Sequence, residues 1–256
     1  MVGRVDVVTR DRPVWRLSKA VLVYEGPESG AYATLHDVLA GKGGARLDAG
    51  VPATKEACAS LARALGANAT LTGFTPPELV YLGARAIAWW RPPAPARLFF
   101  DSRDEDPKRA IGKRNALLPQ PGLVFAVTAG HWYVYALRGA ARPDPATRLC
   151  RAPYFNVWAS GEICTGNVRL PDSLSPAALA AYERAFFDSN FTHPNVRGRE
   201  RLVRAKGGAY AFWRGMLDRA AAAGNQPFPP QALVPLKLTL SGLATRLEKG
   251  EHDGRD

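Results

Sequence analysis

Two apolar segments near the middle of the chain constrain its fold more than any other stretch of the sequence. Residues 123–127 and 132–137 are rich in β-branched and aromatic side chains, and residues 128–131 between them include a glycine. Two such segments around a short connection are typical of a β-hairpin. The sequence therefore predicts an antiparallel strand pair here, with the His131 side chain at the turn and in solvent.

More strands are predicted around this hairpin, and helices are predicted after it. Residues 86–90, 97–100 and 147–150 have a strand-like composition, whereas the highly charged residues 101–115 are predicted to form an exposed loop. Helical segments are predicted as a short turn at residues 76–81, as a helix that begins at Ser175 and Pro176 and carries Leu179, Tyr182 and Phe186 on its apolar face, and as helices at residues 210–223 and 232–247. Strands followed by helices favour the α+β class over alternating βαβ units.

The first 74 residues are predicted to form an N-terminal extension that contains β-structure. Residues 14–24 and 32–38 have the pattern of two antiparallel strands, and a helix capped by Thr54 is predicted to end at Gly66. Cys58 falls on the apolar face of that helix and is interpreted as a small buried residue. The predicted organisation is an extension at residues 1–74, a core at residues 75–225, and a C-terminal helix with a polar tail at residues 226–256.

The chain has a net charge of +11, and its cations are distributed over residues 10–19, 108–114 and 197–206. Such cations attract phosphates through counterion release, but no aromatic-basic signature or helix-turn-helix pattern accompanies them. Nucleic acid is therefore the less favoured partner. No apolar run is as long as a bilayer span, and the first 12 residues are too charged for a signal peptide. We expect a cytoplasmic protein without a membrane partner.

The cysteines and histidines of the sequence give no support for a metal site. The three cysteines, at positions 58, 150 and 164, form neither a disulfide framework nor a paired metal-binding motif, and the four histidines are scattered. We therefore expect no bound metal and no cofactor. Cys150 is interpreted as a core residue of the strand predicted at residues 147–150.

Cys164 is the strongest candidate for chemistry. The turn-prone residues 159–161 lie between Asn156 and Cys164. A thiol and a side-chain amide held together by a tight turn suit acyl transfer, with the sulfur as nucleophile and the amide as a donor to the developing oxyanion. No neighbouring imidazole in the sequence completes a protease-like Cys-His pair. The alternative is a buried, unreactive loop cysteine.

This stretch resembles the signature of ubiquitin-conjugating enzymes. In that family a strand meander and a proline-rich link precede a His-Pro-Asn tripeptide, and the thioester cysteine comes eight residues after the asparagine. The positions that keep this spacing are Asn156, Gly161, Ile163 and Cys164, and residues 142–145 are similar to the proline-rich link. The resemblance covers residues 75–225 and implies a ubiquitin-conjugating-enzyme-like fold, in which the helix near Pro176 is the crossover helix.

Two positions of the tripeptide differ from the family, since Tyr154 replaces the histidine and Phe155 replaces the proline. The resemblance implies a set of residues that shape the loop, namely Tyr154, Phe155, Gly161 and Ile163. The Tyr154 hydroxyl would take over the histidine's part in positioning Asn156. A literal His-Pro-Asn also occurs at residues 193–195, but Val203 stands eight residues beyond it, so this copy is not the signature.

The resemblance also implies an activity. Cys164 would accept a ubiquitin-like modifier as a thioester and pass it to an amine, while Asn156 stabilises the oxyanion. Asp188 or His193, in the loop after the crossover helix, would assist the incoming amine. ATP would be used by the activating partner, so that the chain itself needs no cofactor.

Within the superfamily, residues 152–157 and 161–166 most resemble the protein B family of bacterial PRTRC systems. That setting implies a ubiquitin-like protein, a ThiF-like activating protein and a JAB-type peptidase as partners. Two other functions stay open at this point. One is a non-catalytic adaptor of the same fold that binds a ubiquitin-like or ThiF-like partner, and the other is a DNA-associated plasmid-maintenance protein.

Overall fold

The computed structural model describes residues 17–25, 31–41, 44–64, 75–166, 168–171, 174–196, 201–223 and 227–250. The chain divides into two compact units, residues 1–74 and residues 75–256. None of the helices in these described ranges has the length and apolar character that a bilayer crossing requires.

The first unit contains an antiparallel sheet followed by a helix. Its described elements are β1 (Lys19–Glu25), β2 (Ala31–Gly41), β3 (Gly44–Leu47), β4 (Val51–Pro52) and α1 (Lys55–Ala64). The predicted pairing of β1 with β2 is confirmed, whereas residues 14–16 of that prediction lie outside the described residues. The Thr54 hydroxyl accepts the Ala57 N–H at 3.2 Å and caps α1 as predicted, and the predicted end at Gly66 lies outside the described residues.

Cys58 of α1 is exposed, so its interpretation as a buried residue is wrong. Its thiol lies 3.8 Å from the carbonyl of Ala53. None of the residues whose burial is described in the first unit is fully buried. Helical spacing identifies an apolar face, but it does not tell whether another element covers that face.

The second unit contains the strands and helices that frame the candidate site. Its described elements are β5 (Leu79–Leu82), β6 (Ala86–Arg91), β7 (Ala96–Ser102), β8 (Gly112–Leu118), β9 (Gly122–Thr128), β10 (His131–Leu137), β11 (Arg148–Arg151), α2 (Leu179–Phe187), β12 (Asn190–Phe191), α3 (Gly208–Ala223), β13 (Pro235–Thr239) and α4 (Leu240–Lys249). Short 3₁₀ turns precede α2 and β13. The predicted α+β class is confirmed.

Six of these strands form an antiparallel sheet in the order β5-β6-β9-β10-β11-β13. The predicted hairpin is β9 and β10, in which Phe125 pairs with Val134. The strands predicted at residues 86–90 and 147–150 are β6 and β11 of this sheet. The strand predicted at residues 97–100 is β7, which leaves the meander and pairs with β8 and β12 in a separate sheet.

Three local predictions in this unit are wrong. The helical turn predicted at residues 76–81 leads into β5, the loop predicted at residues 101–115 contains the start of β8, and the helix predicted at residues 232–247 begins only with α4, after β13. In each case a neighbouring strand, β6, β7 or β11, supplies the pairing partner. Pairing of this kind outweighs local propensity, because strand formation depends on cross-strand neighbours.

The main sheet is covered on both faces, which explains the continuous burial of β9 and β10. Successive side chains of a strand point to opposite faces. Leu123, Phe125 and Val127 belong to the larger core, which also contains the apolar residues of α2 and α3. Val124 and Ala126 belong to the second core, together with the apolar stripe of α4. The hairpin formed by β9 and β10 is therefore a rigid support for the segments that pack against it.

Candidate active site around Asn156 and Cys164

Residues 156–164 form a narrow hairpin of their own, which places Asn156 directly opposite Cys164. The Cys164 N–H donates to the Asn156 carbonyl at 2.7 Å, and Val157 forms an antiparallel bridge with Ile163. The eight-residue spacing noted in the sequence is therefore the length that lets the two residues face each other across the hairpin.

Gly161 occupies a position in the turn that only glycine suits. Its φ is +90°, a left-handed conformation that side chains with a Cβ rarely adopt. A Cβ at this position would lie 2.5 Å from the aromatic ring of Tyr135. The Tyr135 hydroxyl in turn donates to the Ser160 carbonyl at 2.5 Å. The tight turn thus packs closely against a buried side chain of β10.

The returning arm of the hairpin is anchored to β10. The Val134 N–H donates to the Gly161 carbonyl at 2.9 Å, and the Ile163 N–H donates to the Trp132 carbonyl at 2.7 Å. The Ile163 side chain is buried in the larger core. Cys164 therefore directly follows a segment that is fixed by backbone hydrogen bonds and by packing.

The two cysteines of the second unit have opposite environments. Cys164 is free and exposed, so its thiol is accessible to a macromolecular reactant. Cys150 is 2% exposed, and burial raises the pKa of its thiol, which confirms its interpretation as a core residue. A buried thiol with a raised pKa is inert, whereas an exposed thiol can act as a nucleophile.

The Asn156 side chain ties the hairpin to the segment after α2. Asn156 has a φ of +59°, which asparagine tolerates better than most residues. Its Nδ2 donates to the Asn190 carbonyl at 2.7 Å, and its Oδ1 accepts from the Thr192 hydroxyl at 2.7 Å and from the Thr192 N–H at 3.2 Å. Its backbone N–H donates to the His193 carbonyl at 2.9 Å. Asn156 is thus a structural junction between two segments of the chain.

A family model described as prokaryotic E2 family D matches residues 54–236, which is well over half of the chain. The chain belongs to this family. E2 is the common term for ubiquitin-conjugating enzymes, and the matched range includes the whole hairpin at residues 156–164 and the strands that support it. No curated protein and no solved structure matches the chain significantly.

In this E2-family protein, Tyr154 and Phe155 serve as core residues. Tyr154 is 1% exposed, and its hydroxyl donates to Gln120 Oε1 at 2.8 Å rather than to Asn156. The contact expected between that hydroxyl and Asn156 is therefore not formed. Burial raises the pKa of Tyr154 far above its usual range, so the phenol stays protonated. The ring of Phe155 packs edge-on against the ring of Phe100, with 5.8 Å between the ring centroids. Both residues act on the hairpin through packing.

The two candidates for assisting an amine are placed differently. His193 lies in the segment that Asn156 holds, and its Nδ1 is 2.9 Å from the Thr192 hydroxyl. Asp188 is the C-cap of α2, and its backbone N–H bonds to the carbonyls of that helix. Its carboxylate is exposed and makes no hydrogen bond or ion pair with the described residues. The structure thus joins His193, but not Asp188, to Asn156 through hydrogen bonds.

Other residues contribute to the site although the sequence did not single them out. Thr192 and Asn190 hold the Asn156 side chain, and Asn190 begins the two-residue strand β12 within the predicted loop.

His131 is half-buried, with Nδ1 3.2 Å from Oε1 of the buried Glu162, so its interpretation as a solvated turn residue is wrong. The hairpin brings Glu162 beside β10, a pairing that no sequence spacing indicated. Within the described residues no three histidine, cysteine or acidic side chains are grouped to hold a metal ion.

Proposed function

We propose that this E2-family protein carries a ubiquitin-like protein as a thioester on Cys164 and passes it to an amine. The observation that supports this proposal best is that the exposed Cys164 and Asn156 are paired through their backbones across a hairpin anchored to β10. Acyl transfer needs an accessible nucleophile in a fixed position, since a misplaced reacting atom lowers the rate steeply.

In the first step, the Cys164 sulfur attacks the carbonyl carbon of the thioester on an activating protein. The new carbon–sulfur bond forms, the old one breaks, and the thiol of the activating protein leaves with the proton that Cys164 loses. The exchange converts one thioester into another of similar free energy. It therefore needs no energy beyond that of the ATP already used by the activating protein.

In the second step, an amine attacks the Cys164 thioester. A carbon–nitrogen bond forms, the carbon–sulfur bond breaks, and the sulfur leaves with the proton that the amine gives up. The carbonyl oxygen carries negative charge in between, and a donated hydrogen bond lowers that barrier. Asn156 Nδ2 has two hydrogens, and one is directed at the Asn190 carbonyl. The other is the donor that Asn156 offers to the oxyanion.

His193 is the candidate base for the amine in this proposal. Its backbone carbonyl accepts from the Asn156 N–H, and its backbone N–H donates to Asn156 Oδ1, so the residue that carries the imidazole is bound directly to Asn156. An exposed imidazole can accept the proton that the attacking amine releases and pass it to the leaving Cys164 sulfur. We further propose that the protein acts in a PRTRC-type system, with a ubiquitin-like protein and a ThiF-like activating protein as its partners.

The test is an in vitro loading reaction with a ThiF-like activating protein and a ubiquitin-like protein from a PRTRC-type system, together with ATP. We expect an adduct on non-reducing gels that disappears with a thiol reductant. Cys164→Ser should give no adduct or one that resists the reductant, because an ester replaces the thioester. Cys58→Ser is the matched control, since Cys58 is also exposed, and it should load normally. A reductant-sensitive adduct that still forms with Cys164→Ser would refute the proposal.

A second function is favoured by the engaged state of Asn156. Because its amide already bonds to Asn190 and Thr192, the site also suits a non-catalytic adaptor that binds a ubiquitin-like or ThiF-like partner. An adaptor would bind its partner equally well in the wild type and in Cys164→Ser and would form no adduct in either. The loading reaction, run beside a binding measurement, separates the two functions.

A further inference from the structure

A strongly cationic cleft lies between β13 and the segment that precedes α3. Its volume is about 790 Å³, within the range of ligand-binding clefts. The cationic side chains that line it are Arg151, Arg201, Arg204, Lys206 and Lys237, and its other lining residues are Ala205, Val234, Pro235 and Leu236. Among the described residues, no aspartate or glutamate lines the cleft, and no residue of the hairpin at 156–164 does so. The cleft is therefore separate from the proposed thioester site.

The cations of the cleft are arranged as a charged floor and rim. Arg151 is 5% exposed, and its Nη1 donates to the Arg201 carbonyl at 2.5 Å, which links β11 to the segment before α3. Arg204, Lys206 and Lys237 are exposed on the rim. Their side chains, with that of Arg201, make no hydrogen bond or ion pair with any residue in the described part of the chain. Several like charges in one concavity raise the local potential and favour an anion.

The rest of the lining indicates which class of anion fits. Val234 is half-buried, Pro235 is exposed, and both add an apolar surface between the cations. Within the described part of the chain, no aromatic side chain lines the cleft to stack on a base, as single-stranded nucleic-acid sites do. A concave surface with apolar patches is also a poor match for a uniformly charged duplex backbone. Acidic peptides with interspersed apolar side chains match both parts of this lining, since arginine clusters recognise acidic motifs.

We propose that this cleft binds an acidic peptide segment of a partner protein, with carboxylates on the arginines and lysines and apolar side chains against Val234 and Pro235. The site goes beyond thioester transfer and does not depend on Cys164. It gives the chain a docking point for a partner that carries an acidic, partly apolar segment.

The probe is a fluorescein-labelled peptide of eight residues in which glutamate or aspartate alternates with leucine or valine. Fluorescence anisotropy measures its affinity for the full-length chain. We expect Arg204→Glu with Lys237→Glu to weaken binding about tenfold or more, because two charge-assisted contacts become repulsive. Lys113→Glu with Arg169→Glu is the matched control, since both residues are exposed, lie outside the cleft and lower the net charge equally. The control pair should change the affinity by less than about threefold.

Further measurements distinguish a peptide site from a site for nucleic acid or free phosphate. Val234→Ala should weaken peptide binding without any change in charge, and circular dichroism of each variant checks that it is folded. A labelled DNA duplex and inorganic triphosphate are titrated in the same buffer. The proposal is overturned if the peptide does not bind the wild type, if both charge pairs weaken it equally, or if only the DNA or the triphosphate depends on Arg204 and Lys237.

Discussion

Replacing Asn156 tests the physical role of this residue more sharply than any other change. Asn156→Ala removes the bond from Nδ2 to the Asn190 carbonyl and the bonds that Oδ1 accepts from Thr192. Each lost hydrogen bond of a partly exposed group costs about 0.5–1.5 kcal/mol. Alanine also tolerates the φ of +59° less well than asparagine, which adds about 1 kcal/mol. We expect Asn156→Ala to lower the free energy of unfolding by about 2.5–5.5 kcal/mol.

Asn156→Gly separates the backbone part of this cost from the side-chain part. Glycine loses the same hydrogen bonds but adopts a positive φ without strain, although it gains entropy in the unfolded chain. The glycine variant should therefore be about 0.5–1 kcal/mol more stable than the alanine variant. Urea unfolding followed by tryptophan fluorescence measures both values, and a constant m-value shows that they are comparable.

Thr192→Ala serves as the matched variant for the chemistry. It removes the hydroxyl that holds Asn156 Oδ1 but keeps the amide, so it should cost about 1 kcal/mol and retain most of the discharge to an amine. Asn156→Ala should discharge about a hundredfold more slowly if its amide stabilises the oxyanion. The junction role of Asn156 is refuted if Asn156→Ala is within about 0.5 kcal/mol of the wild type, or if the glycine variant is no more stable than the alanine variant.

Burial and the geometry of the turn lead to three other expected outcomes. In the folded protein, iodoacetamide should modify Cys164 and leave Cys150 unmodified until the protein unfolds, as peptide mass spectrometry can verify; equal modification of the two would contradict their environments. Burial raises the pKa of the Glu183 carboxyl group above its ordinary value of 4.5. The protonated carboxyl group therefore stabilises the folded state below pH 4.5, and this contribution is lost as the pH rises through the folded-state pKa. Glu183→Gln should therefore show a shallower fall of unfolding free energy above pH 4.5 than the wild type, and parallel pH profiles would exclude this role for Glu183. Gly161→Ala should cost about 2 kcal/mol or more, because it combines a positive φ with a clash against the Tyr135 ring, and a variant as stable as the wild type in thermal unfolding would show that the turn is not constrained as described.

Much of the second unit could be predicted because its signals are local. The apolar runs of β9 and β10 and the short connection between them predict a hairpin from composition alone. The apolar spacing of Leu179, Tyr182 and Phe186 likewise predicts α2, and all three side chains are buried. The spacing from Asn156 to Cys164 predicted a thiol and a side-chain amide brought together by a tight turn. In each case the residues that decide the structure are close together in the chain.

The predictions that failed depend on partners far away in the sequence. Residues 235–239 form β13 because β11 offers an edge and the second core takes up Leu236 and Leu238. Cys58 failed for the opposite reason. It lies on the apolar face of α1 but is exposed, and none of the residues whose burial is described in the first unit is fully buried. Local propensity favours one state over another by amounts that a single strand pairing or a buried face can exceed.

The sequence by itself determined the eight-residue spacing from Asn156 to Cys164 and placed turn-prone residues between them, among which Gly161 adopts the positive φ of the turn. What each of the two residues touches depends instead on the packing of the whole second unit. That packing directs the Tyr154 hydroxyl to Gln120, binds the Asn156 amide to Asn190 and Thr192, and leaves the Cys164 thiol exposed. Side-chain hydrogen bonds and burial depend on which distant segments pack together, and spacing along the chain does not specify this.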